Sequence, residues 1–212
     1  MKNVGFLQLG WVFAAALLAV LVGGGFQDAS QKVGVVDISK MIEASDFGKG
    51  NQETFAKMRK SREDLLEFID TNRVLTTEQA TRLRDLAVKM TQTAEEKAEF
   101  ERLKAEVIAA NKKWTELSTK PNLTAEERTL LEEYSRRSQA MGDFAQRLLN
   151  GFTSEMTGWA DQQKLRSLEK ARTAVQEVAK AQGYNVVFEI GIAPYGANDL
   201  SDASLVAMNA KK

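Results

Sequence analysis

From Phe47 to Gln182 the chain is dominated by Ala, Glu, Lys, Arg, Leu and Gln. These are strong helix formers. Only one of the two prolines, Pro121, falls inside this stretch. A chain so built folds as long helices, and apolar residues recur along them at three/four spacing. Phe55, Met58, Leu65 and Ile69 make one stripe, with Arg62 in the missing position. Phe100, Leu103, Val107, Ala110, Trp114 and Leu117 make a second. Leu131, Tyr134, Met141, Ala145, Leu148 and Phe152 make a third, with Ser138 inside it. Stripes this narrow read as coiled-coil seams, and the step from Phe152 to Met156 and Trp159 reads as a stutter.

Two segments break the pattern. "NRVLTTEQ" and "KPNLTAEE" each place a Thr three residues before Gln or Glu: Thr76 with Gln79, and Thr124 with Glu127. That spacing is a capping box, which starts a helix. The two segments are read either as a duplication or as independent helix starts using the same capping residues. Helices are thus expected over 48–72, 76–118 and 124–182, about 37, 64 and 88 Å long at 1.5 Å per residue. If only the Pro121 turn, at 119–123, reverses the chain, the outgoing arm of about 100 Å nearly matches the return. The join at 73–75 is then a kink, and Ile69 should face Thr173–Val178. "TQTAEEKAEF" interrupts the outgoing stripe and reads as either a solvated stretch or a loosened, bendable one.

Two strand candidates flank the helices. "KVGVVDISKM" carries Val33, Val35, Val36 and Ile38, and "YNVVFEIGIAPYG" carries Val186, Val187, Phe188 and Ile190. β-Branched and aromatic residues suit strands, and a lone strand cannot satisfy its own backbone. The returning arm brings Val186–Ile190 back to Val33–Ile38. Two strands alone are marginal, so these eight residues are expected to form an oligomerisation body completed by other copies. The expected fold is mainly α with a small β body: segments 30–47 and 183–212 form the body, and 48–182 a long antiparallel helical hairpin.

The chain has 29 basic and 29 acidic residues, so no net field draws it to nucleic acid. Cys and His are absent, which removes Cys nucleophiles, His bases, the usual zinc sites and disulfides. No cofactor or enzyme activity is expected. Asp37 lies at a strand end with no second catalytic group near it in sequence, and "GIAPYG" makes no phosphate-binding fingerprint. Residues 1–29 combine Lys2, the apolar run "WVFAAALLAVLV" and "VGGGFQDAS". They read as a signal peptide cleaved before Gly25, or after Ala29, or as a retained membrane anchor. Either reading exports the remainder.

The ends resemble those of the OmpH/Skp family of periplasmic chaperones. "VGVVDISKMIEASDFGKGNQETFAKM" is similar to that family's opening strand, its Asp and its Gly-Lys helix entry. "AKAQGYNVVFEIGIAPYGANDLSDASLVAMN" is similar to its ending, with a helix stop at Gly183, a strand, a second short strand around a Tyr and a capped last helix. The resemblance implies a homotrimer with helical tentacles around a cavity. It further implies ATP-independent holding of unfolded outer-membrane or other exported proteins in the periplasm. Family members are commonly basic whereas this chain is neutral, and its helical insert is longer.

Gly142, Gly151 and Gly158 interrupt the return helix near Met141, Phe144, Phe152, Met156 and Trp159. These five side chains are candidates for client contact on a flexible, Met- and aromatic-rich wall; Met141 and Phe152 lie on the seam and read first as core, which leaves Phe144 and Trp159 the better contact candidates. Lys112–Lys113 and Arg136–Arg137 are scattered among acids and read as solvated faces, with anionic client or membrane contact left open. The competing function is a membrane-anchored coiled-coil scaffold or spacer of the cell envelope.

Overall fold

The structure, a computed structural model, describes residues 32–193 and 198–211. The expected signal peptide or anchor over 1–29 and the expected short strand around Tyr195 lie outside these residues. Within them the protein is mainly helical, with six helices and a two-stranded sheet. The described residues divide into two compact units, one of segments 32–45, 168–193 and 198–211 and one of 46–167.

In the first unit, β1 (Val33–Val36) pairs in parallel with β2 (Val186–Glu189), Val33 opposite Val186 and Val36 opposite Glu189. The other side of β1 is occupied too. Val35 N–H donates to Asn198 O, and Leu200 N–H donates to Val35 O, both at 2.8 Å. Val35 and Val36 are 2% exposed. Gly34 is closely covered: a Cβ there would sit 3.0 Å from Leu200 Cδ1 and 3.1 Å from the Tyr184 ring, so either side chain would have to give way by a few tenths of an ångström.

The first strand ends earlier than Ile38. Asp37 is instead the N-cap of α1 (Ile38–Ala44), its carboxylate accepting from Lys40 N–H at 2.8 Å. A strand-end carboxylate followed by helix formers satisfies the orphan N–H groups of a first turn, and Ile38 therefore belongs to a helix. That helix packs on α6 (Ser201–Ala210). A short relay ties the two starts together. Asp199 accepts from Ser201 N–H and Oγ–H at 2.8 and 2.5 Å, and Ser201 Oγ accepts from Asp37 N–H at 2.8 Å. The Ser201 hydrogen bonds hold the Asp199 carboxyl below its ordinary range, with Lys40 adding to the effect.

The long return helix α5 (Ala125–Gln182) ends at Gly183, φ 71°. Tyr184 N–H reaches Ala179 O and Gly183 N–H reaches Lys180 O, at 2.8 and 3.3 Å. This is a Schellman stop, which wants glycine in the left-handed region. Lys32 covers the same terminus, donating to Gln182 O at 2.9 Å and lying 4.1 Å over the Tyr184 ring. A cation there complements the negative end of the helix dipole. The last turns of α5 bury Ala171, Ala174 and Val178 and group with the strands. The unit boundary consequently falls at 167/168 and not at Gly183.

The second unit holds α2 (Asp46–Thr71), α3 (Thr77–Ala87), α4 (Ala94–Thr119) and α5 as far as Ser167. The expected helix over 76–118 is thus two helices, and the expected kink at 73–75 is a reversal. Leu65 and Phe68 of α2 share a cleft with Ala87, the last residue of α3, and with Lys89 and Met90 just beyond it, so α3 runs back along α2. A second reversal over 88–93 cancels the first. There Arg82 grips Glu99 at 2.9 and 2.6 Å, and Lys89 pairs with Glu96, so α4 runs antiparallel to α3. Asn111 Nδ2 then donates to Thr71 O at 3.4 Å, placing α4 past the end of α2.

Burial drives this fold-back. Ala80, Leu83 and Leu86 of α3 are fully buried and join Leu65, Ile69, Leu75, Leu103, Val107, Met141, Leu148 and Phe152 in one core. A straight arm would leave those α3 residues and the turn residue Leu75 in water. Each large aliphatic side chain gains about 1.5–3 kcal/mol by full burial. The fold-back uses up chain length, and Ile69 therefore shares its groove with Met141 and Ala145 instead of Thr173–Val178.

Capping boxes start three helices: Thr76 with Gln79, Thr93 with Glu96 and Thr124 with Glu127. At the last two a lysine seven residues before the Glu, Lys89 or Lys120, binds the same carboxylate. The lysine hydrogen bond, followed by the Thr backbone N–H, lowers the pKa of both Glu96 and Glu127.

Candidate functional site

The candidate surface lies where α2 meets α5. Arg62 holds the middle of this seam. It is 3% exposed and donates to Glu155 Oε1 at 2.8 Å and to Met58 O at 3.1 Å. Its guanidinium lies 5.3 Å from the Phe152 ring centroid, and its Nε–H has no partner. The register is fixed further along by Phe55 on Trp159, ring centroids 5.9 Å apart at 31°.

A groove of about 450 Å³ opens beside this seam, lined by Phe55, Leu66, Leu149, Phe152 and Met156 among others. A second groove beginning at the same Leu66–Leu149 pair continues past Ile69, Met141 and Ala145. Leu149 is 45% exposed. Arg59, Glu63 and Asp161 edge the first groove, and Arg59 pairs with Glu63 at 3.7 Å. The surface is therefore an apolar strip with a balanced, charged margin.

The five candidate contact residues are not equivalent. Met141 and Phe152 are buried in the core. Met156 is half-buried and lines the groove. Trp159 is half-buried against Phe55. Phe144 packs at the margin of the core and lines a different cleft, with Arg84, Val88 and Arg147. Leu66 and Leu149, absent from the sequence-based set, contribute more open apolar surface than Met141 or Phe152. Their signal was the doublets Leu65–Leu66 and Leu148–Leu149. In each doublet one Leu enters the core and its neighbour, about 100° round the helix, lines the groove.

A Cβ added at Gly142, Gly151 or Gly158 would meet nothing within 4 Å. Packing does not require glycine at these positions, and α5 is continuous through all three.

The expected β-body residues sort by face. Val35 and Val36 are buried within the unit, Val187 and Ile190 are half-buried, and Val33, Val186 and Phe188 are exposed. Ile192, beyond β2, is 75% exposed. The outer side of β2 has no strand partner among the described residues.

Among the described residues no group of three or more His, Cys, Asp or Glu could hold a metal ion, and no helix is long and apolar enough to cross a membrane. Searches of curated proteins and of solved structures returned no match. One protein family, described as outer membrane protein (OmpH-like), matches residues 32–206. That match takes in both strands, all three capping boxes and the whole α2–α5 seam, and the chain belongs to the OmpH-like family.

Proposed function

We propose that the protein is an ATP-independent periplasmic holdase that shields unfolded outer-membrane proteins before their insertion. The observation that carries this reading is the OmpH-like match running from residue 32 to 206, across both units. The second unit supplies a suitable surface, an open apolar strip along Phe55, Leu66, Leu149 and Met156. Its charged margin is balanced, so apolar contact dominates and long-range attraction contributes little. Several such strips, each binding weakly, give high total avidity with ready release. In the working assembly three copies join through their β bodies and present their helices to one client. The mechanism requires no bond making or breaking.

The test is suppression of aggregation of an unfolded β-barrel protein diluted from denaturant. The wild-type chain should suppress it at near-stoichiometric assembly concentration. Leu149→Ser with Met156→Ser should weaken capture about tenfold, since each partly buried side chain contributes less than a full burial of about 1.5–3 kcal/mol. Phe144→Ser probes the other cleft separately. Wild-type protein that leaves aggregation unchanged would overturn the holdase reading.

A further inference from the structure

The fold-back of α3 and α4 builds a cleft separate from the α2–α5 strip. Its volume is about 420 Å³, within the range of pockets that hold small ligands or side chains. Leu65, Phe68 and Phe100 line its apolar part, and Lys89, Lys97 and Lys104 line it too. The Lys104 ammonium lies 5.6 and 5.4 Å from the Phe68 and Phe100 ring centroids. It is thus held by two ring faces above an apolar floor. The loop wall is fixed: Gln92 Nε2 donates to Leu86 O at 2.7 Å, closing the end of α3.

The charges in this cleft are unequal. Three lysines face one acid, Asp64, which Lys60 already engages at 2.9 and 3.0 Å. Lys89 is held by Glu96, and the one ion pair of Lys104 among the described residues is with the exposed Glu101 at 3.8 Å. Lys97 makes no ion pair among the described residues. Exposed Met90 forms an adaptable edge.

We propose that this cleft binds an acidic–aromatic segment of the client chain. An aromatic side chain packs on the apolar floor beside Phe68 and Phe100, and a neighbouring carboxylate reaches Lys97 and Lys104. Size and charge complementarity carry the assignment: the space suits a side chain, and the cations sit beside the apolar floor where a flanking Asp or Glu would lie. The cleft gives a neutral protein a local preference for acidic–apolar sequence. The proposal rests on the holdase reading for its source of ligand.

The experiment uses the full exported chain and fluorescein-labelled decapeptides differing at their centre: Glu-Phe-Glu, Lys-Phe-Lys and Glu-Ala-Glu. Anisotropy should show about tenfold tighter binding of Glu-Phe-Glu than of either other peptide, as two half-exposed ion pairs and one aromatic side chain would give. The double variant Lys97→Glu, Lys104→Glu should reverse the order of the two charged peptides. Both positions are at the surface or its edge, and circular dichroism checks that helicity is kept. Equal binding of the two charged peptides, or an unreversed preference in the variant, overturns the proposal. Displacement of Glu-Phe-Glu by equimolar dodecanoate would assign the cleft to a lipid acid and overturn it likewise. Aggregation suppression is measured in parallel. Lost peptide preference with retained suppression removes the cleft and leaves the holdase; the opposite result removes the holdase and leaves the cleft.

Discussion

Arg62 occupies an apolar position in the α2 stripe, and its environment fixes the sign of two substitutions. Its guanidinium is buried with one donor unsatisfied, while the Glu155 side chain is 52% exposed. Removing Glu155 leaves a buried cation with only a carbonyl and a ring face. Removing Arg62 leaves a carboxylate that water can solvate. Breaking a buried pair from the side that strands the charge costs about 3 kcal/mol. Replacing the buried cation by an apolar residue of similar length is often neutral or stabilising. Glu155→Ala should accordingly lower the urea midpoint clearly, and Arg62→Met should leave it unchanged or raise it. A larger loss for Arg62→Met would show that the guanidinium stabilises the seam on its own. The stripe itself was legible in the sequence, including the odd Arg within it. Its partner was not, because Glu155 is one of many acids on α5 and only the antiparallel register selects it.

At the scale of elements, the instructive segment is 88–99. The capping boxes at Thr76 and Thr124 stand out in the sequence, whereas "TQTAEEKAEF" reads as a solvated stretch or a bend. Yet "TAEE" appears at both 93–96 and 124–127, with a lysine four residues ahead of each Thr. The second reversal was therefore written in the same residues as the third helix start. Periodicity along one straight arm hides it, because there a cap is indistinguishable from a lapse in the stripe. Its consequence was larger than its length. One unnoticed reversal changed a kink into a fold-back and displaced the partner of Ile69.

The carboxylates of these boxes give a pH prediction. Lys89 and Thr93 hold Glu96 below its ordinary pKa, and Lys120 and Thr124 do the same for Glu127. A depressed folded pKa contributes stability that is present above the unfolded value of about 4.3 and is lost as pH falls through the lower folded value. Thr93→Ala should cost about 1 kcal/mol at neutral pH, as N-cap losses do. Glu96→Gln should do less at neutral pH, because Gln can still complete the box, and should flatten the acid limb of the stability curve. Chemical denaturation at stepped pH measures both. An acid limb as steep in Glu96→Gln as in wild type would show that other carboxylates carry it.

For the whole molecule, the strands decide more than the helices do. Val33–Val36 and Val186–Glu189 were legible as strands from their β-branched residues, and Gly183 as the stop before the second. The helix α1 was not, since "ISKM" continues an apolar run and only Asp37 signals the change. A parallel pair with one short bridge beside it is a small sheet. Val33, Val186, Phe188 and Ile192 remain exposed, and the outer side of β2 is unpaired among the described residues. An exposed apolar edge strand invites pairing with another chain, and copies meeting there would satisfy its backbone and cover those side chains together. That edge argues for association of copies, and three is the number the proposed assembly takes. Val36 is a poor probe of it, since burial within the unit makes any charge there unfold the protomer. Val186→Asp with Phe188→Asp is the sharper test, because both side chains are exposed in the single chain and the protomer loses little. Light scattering of the wild-type chain at micromolar concentration should give three times the protomer mass, and the double variant should give the protomer mass with unchanged helicity. The variant should also lose the avidity that depends on several strips acting on one client, while each strip keeps its weak affinity for a short apolar peptide. A wild-type protein of protomer mass that still suppresses aggregation would separate holding from assembly and overturn the trimer.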